Sequence, residues 1–286
     1  MMSGNYPEQY YKRLVEAGVD VYDARLELEG MAEASRDEAE LESFVARRIS
    51  GEPFAYIVGQ RAFYKECYKV TPAVLIPRND TEVLVETVAA ACGCNDLPTG
   101  EIAKVPRMSV TGRVDILDLC TGSGCVGISL ANELMSHGLE VTALLTDVSE
   151  EALKIAKHNA GRQGKDAKCF DVLRVDVTSD SLEKVFDIIT ANPPYIDRKA
   201  MEGLPAQVGG KEPYIALFGG EDGLDFYRAI AGRFIRNLKA GGMIAAEHGF
   251  DQGGEVRRIW TEAGLRDVAT IDDYGGNPRV TYGFKR

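Results

Sequence analysis

From about Asp80 onward, apolar segments alternate with amphipathic ones, and this alternation limits the possible folds more than any other feature. The apolar, β-branched character of buried strands appears at residues 114–119, 141–146, 169–175, 186–191 and 243–247. Helix patterns begin between or after them, near Gly124, Ser149, Gly223 and Gln252. Strands that alternate with helices in this way build a parallel sheet with crossover helices. We therefore expect an α/β fold.

The two ends of the chain depart from this pattern. Apolar spacing of three and four residues up to about Arg48 predicts three short amphipathic helices. Aromatic and β-branched residues over 62–75 predict a β-hairpin that connects the N-terminal helices to the rest of the chain. Segments 268–271 and 280–284 flank a turn and predict two antiparallel strands. We expect a helical N-terminal substrate-recognition domain over 1–60, a β-hairpin linker over 61–78 and the main domain over 79–286.

Charge and composition exclude several classes of partner. Lys and Arg number 33 against 44 Asp and Glu, so the net charge is -11 and a polyanion would be repelled. The apolar runs are shorter than the roughly 18 residues that a membrane span needs, and the chain starts without a basic or apolar signal segment. The six cysteines are scattered, and no second Cys or His pair accompanies Cys92 and Cys94. We expect a cytoplasmic protein with reduced thiols and no metal, membrane or direct nucleic-acid partner.

A glycine-rich turn follows the first predicted strand. Glycine lets the backbone approach a ligand, and the helix that follows offers unpaired N–H groups. Gly122, Gly124 and Gly127 match the dinucleotide fingerprint, with Asp147 about 20 residues further on. Asp147 can accept the ribose hydroxyls of any adenosine cofactor, so a nicotinamide cofactor remains an alternative at this point. Asp118, just before the turn, instead suits the ammonium group of an amino-acid moiety.

A second motif favours a different chemistry. The predicted strand 186–191 ends in Asn192-Pro193-Pro194-Tyr195, at the sheet edge where open α/β folds bind ligands. The two prolines fix the backbone and remove two donors, which leaves carbonyl oxygens without a local partner. A planar NH2 group fits these acceptors, with one hydrogen for Asn192 and one for the Pro193 carbonyl. The ring of Tyr195 can stack on the flat group and fix its plane.

These motifs occur together in one known family. The sequence resembles the HemK/PrmC family of S-adenosylmethionine-dependent methyltransferases, which methylate the side-chain amide nitrogen (N5) of the glutamine in the Gly-Gly-Gln motif of class 1 peptide release factors. The resemblance covers roughly residues 52–286. Besides the two motifs above, it includes residues 56–59, 74–82, 212–213, 223–224, 227–228, 247–249 and 279–281.

The resemblance implies a Rossmann-like class I methyltransferase sheet with a terminal antiparallel hairpin, preceded by a small helical domain. It implies cofactor contacts from Asp118, Cys120, Thr121, Gly122, Ser123, Gly124, Asp147, Asp176, Val177 and Asn192. Substrate contacts are implied for Asn192, Pro193, Pro194 and Tyr195, with Asn192, Pro193 and Tyr195 in the catalytic role. The sequence departs from the family at Cys120, where glycine is usual, and at Val177, where an aromatic residue is common.

Three other functions are weighed against this one. A nucleic-acid amino-methyltransferase shares the Asn-Pro-Pro-Tyr element, but it should present a basic face for its substrate. A nicotinamide oxidoreductase would account for the glycine-rich turn, but it has no use for the Asn-Pro-Pro-Tyr element. A cofactor-binding scaffold without activity should have lost Asn192 or a proline, and all are present. We also expect a hydrogen-bonding, structural role for His248, while Arg78 either holds the hairpin or touches the substrate.

Overall fold

Three helices open the described part of the chain, as the sequence predicts. The computed structural model describes residues 8–94, 100–110, 112–203 and 210–286. The helices are α1 (Glu8–Glu16), α2 (Val21–Ala34) and α3 (Glu38–Ile49). Asp20 and Asp37 cap α2 and α3 because their carboxylates accept hydrogen bonds from the first free backbone N–H groups. The three helices bury a core of their own, which includes Leu14, Met31 and Val45.

A short helix and a hairpin connect this helical unit to the rest of the molecule. Helix α4 (Phe54–Val58), which the sequence analysis did not predict, leads into the antiparallel strands β1 (Gln60–Phe63) and β2 (Glu66–Lys69). The predicted hairpin over 62–75 is therefore too long. Val70 and Val74 are buried by packing in a separate small cluster and pair with no strand, so their apolar character gave a false strand signal.

The predicted parallel sheet is confirmed. After helix α5 (Glu82–Ala91), seven strands follow: β3 (Arg113–Leu119), β4 (Glu140–Asp147), β5 (Phe170–Arg174), β6 (Phe186–Ala191), β7 (Leu238–Glu247), β8 (Arg266–Asp272) and β9 (Pro278–Phe284). They lie in the order β5-β4-β3-β6-β7-β9-β8. Neighbours among β3 to β7 are parallel, and β9 runs antiparallel to both β7 and β8. The last two strands form the terminal hairpin that the sequence predicts.

Helices cover both faces of the sheet and bury a hydrophobic cluster on each. The helices that do so are α5, α6 (Cys125–Ser136), α7 (Glu150–Gln163), α9 (Asp225–Arg233) and α10 (Gly253–Glu262), whereas the short helix α8 (Arg198–Glu202) buries none of its residues. Four of them begin within two residues of the predicted starts. The sequence analysis missed α5 because nearly all of its residues are buried, so it shows no polar face to reveal a helical period. Among the described residues, none of the helices combines the length and apolar character needed to cross a bilayer.

Two further boundaries differ from the sequence expectation. Strand β7 begins at Leu238, five residues before the predicted start, because it continues through Gly241 and Gly242 with a shift of register against β6. Glycines inside a strand mark such irregularities and resemble a turn in the sequence. The segment 94–108, with Pro98, Gly100 and Pro106, predicts a polar loop before the first strand of the sheet. Residues 95–99 of this segment lie outside the described residues. Within its described part, Ile102 and Val105 are buried.

The strand order determines where a ligand can bind. From β3 the chain proceeds outward through β4 and β5, then returns to β6 on the other side of β3. Loops after β3 and β6 therefore leave in opposite directions and open a crevice at the carboxyl ends of these strands. Leu119 at the end of β3 pairs with Ala191 at the end of β6. The glycine turn and the Asn-Pro-Pro-Tyr motif consequently lie side by side.

Candidate active site

A cleft opens at this switch point. Most of the site residues expected from the sequence line it: Asp118, Cys120, Thr121, Gly122, Ser123, Asp147, Asp176, Val177, Asn192 and Pro194. Gly124, Pro193 and Tyr195 do not line it. The sequence analysis missed other lining residues, which include Thr81, Val148, Ile215 and Phe226. Phe226 lies in the same hydrophobic cluster as Val177, so an aromatic ring is present although position 177 lacks one.

The turn after β3 needs unusual backbone angles. Cys120, Gly122 and Gly124 have φ values of 55°, 53° and 84°, all in the left-handed region. A residue with a Cβ atom is disfavoured there by roughly 1 kcal/mol. This explains why glycine suits position 120, where this chain has cysteine instead. Burial also raises the pKa of the Cys120 thiol, so the side chain is a neutral part of the cleft wall.

Asp147 is held in place by the turn beside it. Its Oδ2 accepts a hydrogen bond from the Gly122 backbone N–H at 2.9 Å, and its Oδ1 accepts one from Ser149 N–H, also at 2.9 Å. Burial raises the pKa of this carboxyl, while the backbone donors favour its ionised form. Each carboxylate oxygen has a second acceptor position. Asp147 can therefore accept two further hydrogen bonds from a ligand in the cleft.

Asp118 is more deeply buried and already has three protein donors. The hydroxyls of Thr121 and Thr190 donate to its carboxylate at 2.5 and 2.6 Å, and the Gly127 N–H donates at 3.3 Å. Burial nevertheless raises the pKa of Asp118 to about 6. The carboxylate thus links β3, β6 and the first turn of α6, and one acceptor position remains on the atom that Thr190 contacts.

The Asn-Pro-Pro-Tyr motif presents acceptors that the protein itself leaves unused. Within the described residues, no donor bonds to the carbonyl oxygen of Pro193 or to Oδ1 of Asn192. The other side of the Asn192 amide is occupied, because its Nδ2 donates to Thr81 Oγ1 at 3.3 Å. The carbonyl of Tyr195 accepts from Gln252 Nε2 at 2.9 Å, so the motif is anchored to the start of α10. Two acceptors are left for a ligand that carries N–H groups.

A buried carboxylate lies beside this motif. Glu247, at the end of β7, is 2% exposed, and its Oε1 accepts a bond from the Tyr195 hydroxyl at 3.4 Å. Burial raises the pKa of Glu247 to about 7, partly offset by the Thr81 hydroxyl and by Arg279. The sequence analysis used Glu247 only as part of a family motif. A glutamate at the carboxyl end of a central parallel strand is the signal that could have identified it.

Arg78 and His248 both have protein partners. Arg78 donates to Glu212 at 2.5 Å, and Glu212 also accepts from the backbone N–H of Ile76, so the pair fixes the segment before α5. His248 is fully buried, with Nδ1 2.8 Å from the Gly249 carbonyl and Nε2 2.9 Å from Thr281 Oγ1. Burial lowers the pKa of His248 to about 4, which keeps the ring neutral. The hydrogen-bonding role expected for His248 agrees with these contacts.

Asp176 lines the cleft just after the end of β5. The hydroxyl and backbone N–H of Thr178 both donate to its Oδ1, at 2.6 and 2.8 Å, and they lower the pKa of Asp176. The carboxylate is therefore ionised and partly exposed beside the buried Val177. This combination of an acceptor and an apolar surface suits a heteroaromatic ring with amino groups.

Known proteins resemble this chain over most of its length. The family model of the small methyltransferase domain matches residues 100–207. A release factor glutamine methyltransferase of Caulobacter vibrioides is 34% identical, with 96% of this chain and 93% of the relative covered. One of Moorella thermoacetica is 37% identical, with 85% and 78% covered. A solved methyltransferase from Pyrococcus furiosus matches 87% of this chain and 97% of its own at a TM-score of 0.50 and 15% identity, which supports the fold. Sequence, fold and cleft together place this chain in the family of release factor glutamine methyltransferases.

Proposed function

We propose that this protein uses S-adenosylmethionine to methylate the side-chain amide nitrogen, N5, of the glutamine in the Gly-Gly-Gln motif of class 1 peptide release factors. The observation that carries the proposal is the pair of unused acceptors, Asn192 Oδ1 and the Pro193 carbonyl, beside a cleft at the switch point. A primary carboxamide has the matching pair of N–H donors. The relatives are named release factor glutamine methyltransferases, and these names support a release factor as the protein that carries the carboxamide.

The residues of the cleft fit the cofactor. Asp147 has two acceptor positions left for the ribose hydroxyls, and the turn at Gly122 keeps the backbone open beside them. Asp118 offers one remaining acceptor position to the ammonium group, and Asp176 with Val177 and Phe226 suits the adenine ring. When bound, S-adenosylmethionine supplies a methyl group on a positively charged sulfur. Its product would be S-adenosylhomocysteine.

Catalysis by this site is mainly a matter of position. An amide nitrogen is a weak nucleophile because its lone pair is delocalised. Asn192 Oδ1 and the Pro193 carbonyl would hold both of its hydrogens, and Tyr195 would fix the plane of the carboxamide. These hydrogen bonds strengthen as positive charge develops on the nitrogen, so they stabilise the transition state more than the bound substrate. The N-methylated cation then loses a proton to water, and no strong base is needed.

The proposed target is tested with purified protein, methyl-labelled S-adenosylmethionine and a purified release factor. We expect label on the wild-type factor and none on a factor whose Gly-Gly-Gln glutamine is replaced by alanine. Equal labelling of both factors would exclude the assigned glutamine. Label on a nucleic acid and none on either factor would instead favour an amino-methyltransferase of nucleic acids.

The role of Asn192 is tested by Asn192→Ala. This change removes one of the two acceptors, and we expect turnover to fall by roughly 100-fold or more. Cofactor affinity, measured by calorimetry, should fall much less because the glycine turn and Asp147 remain. An unchanged turnover number would refute the proposed clamp.

The acidic helical domain over residues 1–60 is proposed to contact the release factor, with residues 61–78 as a β-hairpin linker to a methyltransferase domain over 79–286. A cytoplasmic location without membrane or direct nucleic-acid contact belongs to the same proposal.

A further inference from the structure

The Asn-Pro-Pro-Tyr motif has few backbone hydrogen bonds of its own. Its two prolines have no N–H group, and Ala191 is the last residue of β6 that pairs with β3 and β7. Outside the strand ladder, the described residues form one hydrogen bond to the backbone of 192–195, from Gln252 Nε2 to the Tyr195 carbonyl at 2.9 Å. The position of the Pro193 carbonyl therefore depends on how the Tyr195 end of the motif is held.

Backbone groups fix the orientation of the Gln252 amide. Gln252 is partly buried and lies directly before α10. Its Oε1 accepts from the Gly249 N–H at 2.9 Å, and its Nε2 donates to the carbonyls of Tyr195 and Gly223 at 2.9 and 3.3 Å. An N–H group can only donate and a carbonyl can only accept, so the reversed amide would lose all three bonds. Gln252 thus connects the motif to the loop after β7 and to the loop before α9.

Two glycines leave the space that this contact needs. Gly223 has a φ of 74°, and a Cβ atom there would lie 2.4 Å from both Gln252 Nε2 and the Tyr195 carbonyl oxygen. A Cβ atom at Gly219 would lie 2.6 Å from Tyr195 Cα and 2.7 Å from the Pro194 carbonyl oxygen. Atoms that are not bonded cannot approach so closely. A side chain at either position would therefore displace the motif.

We propose that Gln252 is a positioning residue that fixes the geometry of the two acceptors. The proline rings lock φ at 193 and 194, so few torsions remain between Ala191 and Tyr195, and the two ends determine the middle. By holding the Tyr195 carbonyl, Gln252 fixes the direction of the Pro193 carbonyl and the plane of the Tyr195 ring. This inference rests on the proposed function and deepens it.

The main test is Gln252→Glu. Glutamate has the shape of glutamine, and its carboxylate can still accept from the Gly249 N–H, but it cannot donate to the Tyr195 carbonyl. We expect kcat with the release factor to fall by about 10- to 100-fold, because a small displacement of a positioned group is costly. The dissociation constant for S-adenosylmethionine should change by less than about threefold, since Asp147 and the glycine turn keep their contacts.

Asn237→Asp is the matched control. Asn237 lies directly before β7, at the edge of the sheet opposite the cleft, and its Nδ2 donates to the carbonyls of Leu182 and Lys184 at 2.8 and 2.7 Å. The same change from amide to carboxylate removes the same kind of donor there. We expect both variants to melt several degrees lower than the wild type, and kcat of Asn237→Asp to stay within about twofold. A similar loss of kcat in both variants would overturn the inference.

A second pair of variants displaces the motif and leaves every hydrogen-bonding side chain in place. Gly219→Ala adds a methyl group against the backbone of Pro194 and Tyr195, and we expect kcat to fall by about tenfold or more. Gly232→Ala is its control, because Gly232 lies in α9 and nothing is found within 4 Å of its Cβ direction. Its kcat should equal that of the wild type. Melting temperatures of all variants show which ones fold.

A readout independent of activity is the NMR signal of the Ile196 backbone N–H, whose peptide group contains the Tyr195 carbonyl. The signal should shift in Gln252→Glu and keep its position in Asn237→Asp. An unchanged signal in Gln252→Glu would contradict the proposed contact. If the wild type labels the release factor and folded Gln252→Glu and Gly219→Ala label it equally fast, the inference is wrong and the proposed function stands. If the wild type transfers no label to any release factor, both are wrong.

Discussion

The three glycines after β3 act in different ways. Gly122 and Gly124 adopt left-handed backbone angles that shape the turn. Gly127 lies inside helix α6 with ordinary angles, and its role is to leave space. A Cβ atom there would lie 2.5 Å from Leu145 Cδ2 and 3.0 Å from Asp118 Cβ. The absence of a side chain thus lets α6 approach β3 and β4 closely enough for Gly127 N–H to reach the Asp118 carboxylate.

The spatial role of Gly127 predicts that Gly127→Ala and Gly161→Ala change the stability of the protein in opposite directions. The methyl group added at 127 would clash with Leu145 and Asp118, so both must move away from α6. We therefore expect a loss of about 1 to 3 kcal/mol in unfolding free energy and weaker cofactor binding. Position 161 of α7 is a matched control, since nothing lies within 4 Å of its Cβ direction. Alanine there should stabilise the protein by about 0.5 to 1 kcal/mol. Chemical denaturation of both variants provides the measurement, and equal stabilities would contradict the spatial role of Gly127.

At the scale of elements, one asparagine connects the hairpin to the glycine turn. Asn159 of α7 is 1% exposed, and its amide bonds to both the N–H and the carbonyl of Lys69 in β2, at 2.9 and 3.0 Å. Its Nδ2 also donates to the Ser123 carbonyl at 2.8 Å. The β1–β2 hairpin is therefore connected, through the hydrogen bonds of Asn159, to the turn that lines the cleft.

Asn159→Ala should consequently affect both stability and the cleft. It leaves three backbone groups without partners, and we expect a loss of roughly 2 to 4 kcal/mol. Because the Ser123 carbonyl is released, the dissociation constant for S-adenosylmethionine should rise several-fold, which calorimetry can measure. Lys157→Ala changes an exposed residue of the same helix and is the control. A variant that lost stability and kept the full cofactor affinity would show that the hairpin and the turn are independent.

At the scale of the whole molecule, the carboxyl edge of the sheet collects buried acids. Burial raises the pKa of Asp118 to about 6 and that of Glu247 to about 7, above the usual values near 4. An acid with a raised pKa in the folded state stabilises the protein below its unfolded pKa, and that contribution is lost as pH rises through the folded pKa. The ionisation of Glu247 as the pH rises through about 7 therefore reduces stability.

Glu247→Gln should remove the contribution of Glu247 to this pH dependence. Glutamine is neutral at all pH values, so the unfolding free energy of the variant relative to the wild type should increase by on the order of 2 kcal/mol between pH 5 and pH 8. The charged or titratable groups that face Glu247 are common to both proteins: Asp80, Cys125, Tyr195, Tyr227 and Arg279. Denaturation curves at several pH values test this, and a difference that does not vary with pH would contradict the buried ionisation.

The sequence predicted the sheet well because its strands and helices have clear periods. It also located the glycine turn and the acceptor motif, since each of these depends on a run of consecutive residues. Thr81 and Glu247 were not recognised as part of the site, because they lie 111 and 55 positions from Asn192 along the chain. Thr81 reaches Asn192 through a hydrogen bond, and Glu247 lies beside it because Ala191 of β6 pairs with Ala246 of β7. Helix α5 was missed because it is buried on nearly all sides and shows no polar face. The early start of β7 was missed because Gly241 and Gly242 interrupt the strand pattern. The short-range chemistry was thus predictable, and the long-range contacts required the structure.

The position of β9 has a consequence for how the protein is made. This strand follows β8 along the chain but lies between β7 and β8 in the sheet. A ribosome therefore delivers β8 before the strand that joins it to the rest of the sheet exists. During that interval β8 has no template, and the β7 edge is open to other chains. Synthesis rate and chaperones should consequently matter most over this hairpin, where the order of translation and the order of assembly disagree.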